Sequence, residues 1–214
     1  VAHPKLPRNK LGLTERDYEG SVSTLCAGCG HDSITAAIIR AVFELNIEPY
    51  RVAKVSGIGC SSKTPTYFMS QSHGFNSVHG RMPSVTTGAN AANRDLLYVG
   101  VSGDGDSLSI GAGQFIHAIR RNLNMCYMIE NNGVYGLTKG QFSASADIGS
   151  KPKKGLANQQ EPIDAVSTAL SLGATYIGRS FSGDKEQLVP LIKGAMLHKG
   201  FALLDIISPC VTFN

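Results

Sequence analysis

Tryptophan is absent and only 17% of the residues are charged, with 20 Lys and Arg against 16 Asp and Glu for a net charge of +4. So small and scattered an excess gives no nucleic-acid track, although it suits anionic substrates or an acidic partner. No apolar run approaches the roughly 20 residues that a membrane-crossing helix needs, and 42% hydrophobic residues are too many for a disordered chain. The opening Val1-Ala2-His3-Pro4-Lys5 lacks the basic-then-apolar order of a secretory signal. Five cysteines in 214 residues do not make a disulfide scaffold. Together these features predict a reducing, cytoplasmic setting with neither membrane nor nucleic acid as partner.

What is present is glycine, 24 in all or about 11% against an average near 7%, placed where apolar runs stop. A chain of this length can bury roughly 70% of its unfolded surface in one core. Neither an internal repeat nor a low-complexity block interrupts it. After an irregular leader over residues 1–22, short apolar runs alternate with longer amphipathic ones. The strand candidates are Val52–Ser56, Phe75–His79, Leu96–Ser102, Met125–Glu130, Ala174–Gly178 and Ala202–Ile207. Helical patterns lie between them at Asp32–Leu45, Thr87–Arg94, Ser107–Asn122, Pro162–Leu172 and Lys185–His198, with Asp32, Thr87 and Asp184 as N-caps. This rhythm predicts an α/β fold, a mostly parallel sheet flanked by helices on both faces. Ile34, Ile38, Ala41 and Val42, like Phe115 and Ile119, should face the core. The long connection from Gly140 to Glu161 carries Ser143, Ser145, Lys151, Lys153 and Lys154, and reads as either a solvated face or an anion-attracting lid.

The strand ending in Val101-Ser102 runs into Gly103-Asp104-Gly105-Asp106, and the next strand runs into Asn131-Asn132-Gly133. In a parallel sheet both turns sit at carboxyl ends, where α/β folds bind ligands, on strands only ~4.8 Å apart. Asp104 offers a hard anionic oxygen and Asn132 a neutral amide oxygen, a donor set that suits Mg²⁺ completed by phosphate oxygens. Gly103 and Gly105 remove side chains that would hold a diphosphate off the backbone, and a helix starting near Ser107 would aim its N–H groups at the anion. The pattern resembles the fingerprint shared by thiamine-diphosphate enzymes. That resemblance assigns Mg²⁺ to Asp104, Asn132 and the main-chain carbonyl of Val134.

Cys26-Ala27-Gly28-Cys29 sets two thiols on a turn, while Cys60 and Cys210 each follow the end of a strand candidate. Four thiolates in a reducing compartment point to a metal more than to disulfides. Zinc and a [4Fe–4S] cluster both accept four cysteines; one close pair with two distant singles favours the cluster over zinc's two pairs. Cys126, inside an apolar strand, reads as a buried, inert thiol. His3, His31, His73, His117 and His198 show no ligand spacing.

The stretches Leu25-Cys26-Ala27-Gly28-Cys29-Gly30-His31, Ser56-Gly57-Ile58-Gly59-Cys60-Ser61-Ser62-Lys63, His79-Gly80-Arg81, Gly103-Asp104-Gly105-Asp106 and Tyr135-Gly136-Leu137-Thr138-Lys139-Gly140-Gln141 resemble, in that order, the β subunit of 2-oxoacid:ferredoxin oxidoreductases. Of its types, the 2-oxoglutarate one is nearest. The resemblance implies a single thiamine-diphosphate-binding domain over residues 23–214, with a [4Fe–4S] cluster on Cys26, Cys29, Cys60 and Cys210. The family's tail beyond the last of these cysteines is expected to be absent. It also implies interconversion of 2-oxoglutarate, coenzyme A and oxidised ferredoxin with succinyl-CoA, carbon dioxide and reduced ferredoxin. In the family an activating glutamate reaches the coenzyme from a separate pyrimidine-binding domain. A chain of this length has no room for that domain, so an α subunit should supply it, in a heterodimer or a dimer of heterodimers. His79 could donate to the diphosphate, and Lys63 is a candidate for the second carboxylate of a dicarboxylic 2-oxoacid. Ile58, Ser61 and Leu137 should shape the thiamine pocket, with Asp106 touching the coenzyme or seating the helix. A pyruvate-specific enzyme, a non-redox thiamine lyase and a zinc-stabilised binding module are the competing readings.

Overall fold

The computed structural model describes residues 6–152 and 155–214, so Lys153, Lys154 and the opening five residues lie outside the described residues. In chain order the strands are β1 (Val52–Ser56), β2 (His73–Asn76), β3 (Leu97–Gly103), β4 (Met125–Asn131), the short β5 (Val134–Tyr135) and β6 (Gln141–Phe142), β7 (Tyr176–Phe181) and β8 (Phe201–Ile207). The helices are α1 (His31–Glu44), α2 (Met82–Ala92), α3 (Ala112–Arg120), α4 (Ala165–Ser171) and α5 (Lys185–Leu197). Six strands form one sheet in the order β2-β1-β3-β4-β8-β7, and every pairing in it is parallel. β5 and β6 pair antiparallel as a separate hairpin.

Helices cover both faces of the sheet, as expected. Cys126, Met128, Ala202, Leu204 and Ile206 pack with α1 and α5 on one side, while Met125, Tyr127, Ile129, Phe201 and Leu203 pack with α2, α3 and α4 on the other. Successive residues of β4 and β8 therefore belong to different layers, which is why both strands are unbroken apolar runs. Each of the leucine, isoleucine, methionine and phenylalanine side chains among them contributes about 1.5–3 kcal/mol by leaving water. Residues 6–22 are fastened to the first layer through Tyr18, which is fully buried and donates its hydroxyl to the Ile47 carbonyl at 2.8 Å. Among the described residues no helix is long and apolar enough to cross a membrane.

Several boundaries differ from the sequence reading. The second strand is His73–Asn76 and not Phe75–His79; it is an exposed edge strand, with Phe75 at 59% exposure and Val78, just beyond it, at 70%, so apolar content there does not report burial. α2 begins at Met82, not at Thr87, because Pro83 fits the first turn of a helix. Thr87 lies inside it and donates its hydroxyl to the Pro83 carbonyl at 2.7 Å. The stretch 107–122 is not one helix: a π-helical turn, Gly105–Ile110, precedes α3. Asp32 sits in the first turn of α1, whose cap position is Gly30. Asp184 does cap α5, accepting from Gln187 N at 3.1 Å, and Asp164 caps α4 in the same way from Ser167 N at 2.6 Å.

Candidate functional site

β3 and β4 lie side by side with Gly103 opposite Glu130, so the turns that follow them open at one edge of the sheet. Asp104 is 2% exposed, and the Asn132 backbone N–H donates to its Oδ1 at 3.3 Å. The two polar turns face the same small volume. Asp104 Oδ2 accepts from the Ser143 hydroxyl and, at 2.8 Å, from the Ser145 hydroxyl. Burial pushes the Asp104 carboxyl above its ordinary value; the hydroxyls of Ser143 and Ser145 and the Asn132 N–H oppose that push. Asn132 Oδ1 accepts from Val134 N at 3.2 Å, which closes the second turn on itself.

A cavity of about 90 Å³ is lined by Ile58, Cys60, Ser61, His79, Gly103, Asp104, Gly105, Asp106, Asn132, Val134 and Leu137, together with Gly59, Tyr135, Gly136 and Thr138. All the side chains and glycines expected around a coenzyme are in that lining; Lys63 is not. Lys63 is half-buried one short turn beyond Cys60, its N–H bonded to the Cys60 carbonyl at 3.1 Å. Larger cavities adjoin it, one of about 770 Å³ beside Gln141 and Leu156 that shares Thr138 and one of about 470 Å³ beside Arg179 and Pro209 that shares Asn132. Volume does not single out the site. Converging carboxylate, amide and thiol groups do.

Two expectations about this turn change. Gly103 and Gly105 do not simply leave room for a ligand: a Cβ on Gly105 would stand 2.5 Å from the Tyr135 ring, and one on Gly103 would stand 3.1 Å from the Ser61 hydroxyl. The protein's own packing against Tyr135 already calls for Gly105, while at Gly103 the Ser61 hydroxyl would have to give by a few tenths of an ångström. Nor does an α-helix start near Ser107, since the π turn occupies that place and α3 begins at Ala112. Asp106 lines the cavity too, but its carboxylate is engaged by the protein: it accepts from Ile58 N at 3.1 Å, Gly80 N at 2.7 Å, His79 Nδ1 at 2.5 Å and the Ser102 hydroxyl.

The cysteines gather beside this cavity. Positions for a Cβ on Gly136 lie 3.6 Å from Cys210 Sγ and 3.7 Å from Cys60 Sγ, so the two thiols flank that glycine. The Cys26–Cys29 turn closes with Cys29 N on the Cys26 carbonyl at 3.1 Å, and a Cβ on Gly28 would touch Val211 at 3.5 Å, one residue from Cys210. Burial raises the Cys60 thiol; Lys63 opposes the shift, and Cys210, Cys26 and Glu130 reinforce it. Burial likewise raises Cys29, with Cys26 adding to it. Among the described residues no group of three or more His, Cys, Asp or Glu is drawn together tightly enough to hold a single metal ion. Cys126 is buried in β4 with its thiol pushed up to about 12 by burial, an inert group as expected.

Residues 57–206 match the family model for the thiamine pyrophosphate enzyme C-terminal, TPP-binding domain. The β subunit of a Sulfolobus 2-oxoacid:ferredoxin oxidoreductase is 43% identical over 190 residues, which make up 88% of this chain and 62% of that one. A 2-oxoglutarate synthase subunit of Methanocaldococcus jannaschii is 37% identical, with 88% of this chain and 69% of that one covered. The chain belongs to the β subunits of the 2-oxoacid:ferredoxin oxidoreductases. A solved 2-oxoglutarate:ferredoxin oxidoreductase of this kind, from Magnetococcus marinus, superposes with a TM-score of 0.91 at 39% identity over 99% of this chain and 72% of that one. That structure has 2-oxoglutarate, coenzyme A and succinyl-CoA bound. The chain spans 62% of the Sulfolobus β subunit and 50% of a Mycobacterium tuberculosis 2-oxoglutarate oxidoreductase subunit.

For this β-subunit family member the sequence reading overlooks a buried polar group between cavity and cysteines. Glu130 is fully buried at the end of β4, accepts from Thr64 Oγ1 at 2.9 and 3.0 Å, and lies 3.6 Å from His31 Nδ1. Burial holds the Glu130 carboxyl well above its ordinary value, against the pull of Thr64, and depresses His31 to about 4. A glutamate closing an otherwise apolar strand is the signal that could have flagged it. Ser143 and Ser145, as partners of Asp104, carry no such signal, because they arrive from a loop far along the chain.

Proposed function

We propose that this chain is the diphosphate-binding and electron-conducting subunit of a 2-oxoglutarate:ferredoxin oxidoreductase. With its partners it interconverts 2-oxoglutarate, coenzyme A and oxidised ferredoxin with succinyl-CoA, carbon dioxide and reduced ferredoxin. The observation that carries this reading is the position of Cys60. It lines the cavity with Asp104 and Asn132 and, across Gly136, stands beside Cys210. A coenzyme held by the first pair would therefore lie next to the thiols.

The residues present fit the groups that the family implies. Asp104 offers a carboxylate whose Oδ1 carries only one long hydrogen bond, and Asn132 offers an amide oxygen, so Asp104, Asn132 and the Val134 carbonyl would hold Mg²⁺ against a diphosphate. Cys60 and Cys210 both lie within 3.7 Å of one point beside Gly136, and one close pair with two distant singles suits a [4Fe–4S] cube, with one cysteine on each iron, better than zinc's two pairs. Bound, thiamine diphosphate supplies a carbon nucleophile and an electron sink. The chain's own contribution is to orient it. Ile58 and Leu137 present apolar surface, Ser61 and His79 present polar atoms, and Lys63 places a cation beyond Cys60 for the distal carboxylate of 2-oxoglutarate.

A pocket for a ligand of this size usually measures roughly 300–1,000 Å³, well above the 90 Å³ enclosed here. The remainder of the wall, with the activating glutamate, is assigned to an α subunit, so the active site lies at a subunit interface. Ferredoxin and coenzyme A approach that assembly as electron and acyl acceptors, in the cytoplasm. The test is to purify the chain anaerobically with its co-expressed partner. Acceptor reduction with 2-oxoglutarate exceeding that with pyruvate, together with iron and sulfide in the protein, is the expected result. Zinc without iron, or preference for pyruvate, would contradict the proposal.

A further inference from the structure

We infer that Asp106 is a positioning residue, which fixes His79 and the Ile58 turn around the coenzyme cavity and does not itself bind coenzyme or cation. This rests on reading the cavity as the thiamine diphosphate site. Asp106 is 3% exposed, and its two oxygens accept from four donors: Ile58 N after β1, His79 Nδ1 and Gly80 N after β2, and the Ser102 hydroxyl on β3. A carboxylate has about four lone-pair sites. Three of the four donors fall on Oδ1 and the Ser102 hydroxyl on Oδ2, and Gly57 presses on the rest of Oδ2, which leaves no room there for a metal or a phosphate-bound partner.

The surroundings are built to let this carboxylate reach three strand ends at once. A Cβ on Gly57 would stand 1.9 Å from Asp106 Oδ2, and one on Gly111 would stand 2.5 Å from the Asp106 carbonyl. The Gly111 N–H closes the wider π turn on that carbonyl at 2.9 Å. π turns of this kind concentrate at functional sites. The bond to Asp106, an acceptor only, requires the proton of His79 to sit on Nδ1. Nε2 is then the ring nitrogen left for the coenzyme, and Tyr135 packs against the ring edge-to-face at 6.1 Å.

The test uses the complex with its partner subunit. In ¹⁵N-histidine spectra of the wild type, with His79 identified by its loss in His79→Asn, the ring is expected to carry its proton on Nδ1; a bare Nδ1 with the proton on Nε2 would overturn the inference without any change to Asp106. By calorimetry, Asp106→Asn and His79→Asn are each expected to weaken thiamine diphosphate binding about ten- to hundredfold, and the double variant to be no weaker than the worse single. Fully additive losses, or unchanged affinity in Asp106→Asn, would also overturn it. Asp104→Ala serves as the separate control. If that variant keeps full affinity, the reading of the cavity fails; if it loses affinity while Asp106→Asn does not, only the role of Asp106 fails.

Discussion

Asp104 and Asp106 stand two residues apart on one turn, yet they belong to different halves of the site. The donors to Asp104 come from beyond β4: the Asn132 N–H at 3.3 Å and the hydroxyls of Ser143 and Ser145. The donors to Asp106 come from the ends of β1, β2 and β3, and two of them are backbone N–H groups. Hydroxyls rotate and can release an oxygen to a cation, while strand-end amides are fixed by the sheet. The loop side is therefore able to exchange partners more readily than the scaffold side, where one donor of four, Ser102, is a hydroxyl. On the proposed reading the same residue type, at nearly the same place, is a ligand in one half and a fastener in the other.

The largest effect should come from Asp104→Ala, which removes the carboxylate that the Ser143 and Ser145 hydroxyls hold. Calorimetry on the co-purified complex is expected to show no saturable Mg²⁺-dependent binding of thiamine diphosphate; retained affinity would end the distinction between the two aspartates. Removing both hydroxyls, Ser143→Ala with Ser145→Ala, should cost the coenzyme-free protein roughly 1–3 kcal/mol, since a buried carboxylate loses its donors. Thermal melts should then show a larger stabilisation by Mg²⁺ and coenzyme than in the wild type, because a cation replaces the missing donors. If the scaffold side behaves this way instead, the assignment is reversed. A third change probes specificity. Lys63→Ala should raise KM for 2-oxoglutarate about tenfold, the worth of ~1.4 kcal/mol, while leaving KM for pyruvate unaltered in the same assay.

The smallest effect concerns the scaffold away from the cavity. Lys54 on β1 is buried, with Nζ donating to the carbonyls of Phe68 at 2.5 Å and Met69 at 3.0 Å, and burial depresses it from 10.5 to about 8. Its folded form holds the proton less tightly than the unfolded chain does, so stability should rise with pH between about 8 and 10.5. In Lys54→Met that rise should shrink by on the order of 1 kcal/mol in denaturant titrations, with coenzyme affinity unmoved. A change in affinity would mean that the scaffold and loop sides are not separable.

Much of this is legible in the sequence, for physical reasons. β4 and β8 announce themselves because both faces are covered, and the Gly-Asp-Gly and Asn-Asn turns because chemistry-bearing residues follow apolar strands directly. β2 is misplaced because an exposed edge strand needs no apolar pattern, and α2 because its start signal is Pro83 and not the cap-type residue Thr87. The role of Asp106 is hidden for a different cause: its four donors come from Ile58, His79, Gly80 and Ser102, and only the sheet order brings them together. The same holds for Ser143 and Ser145 on Asp104, and for Thr64 and His31 around Glu130.

The central claim is that Cys60 joins the diphosphate cavity to the cysteines that carry electrons away. Iron and acid-labile sulfide should be counted in the anaerobic complex for the wild type and for Cys60→Ala, with the thiamine diphosphate affinity of each measured alongside. The account predicts that Cys60→Ala loses this chain's iron and sulfide and its visible absorbance while still binding thiamine diphosphate through Asp104. Unchanged iron in Cys60→Ala, or zinc in its place in the wild type, would contradict it.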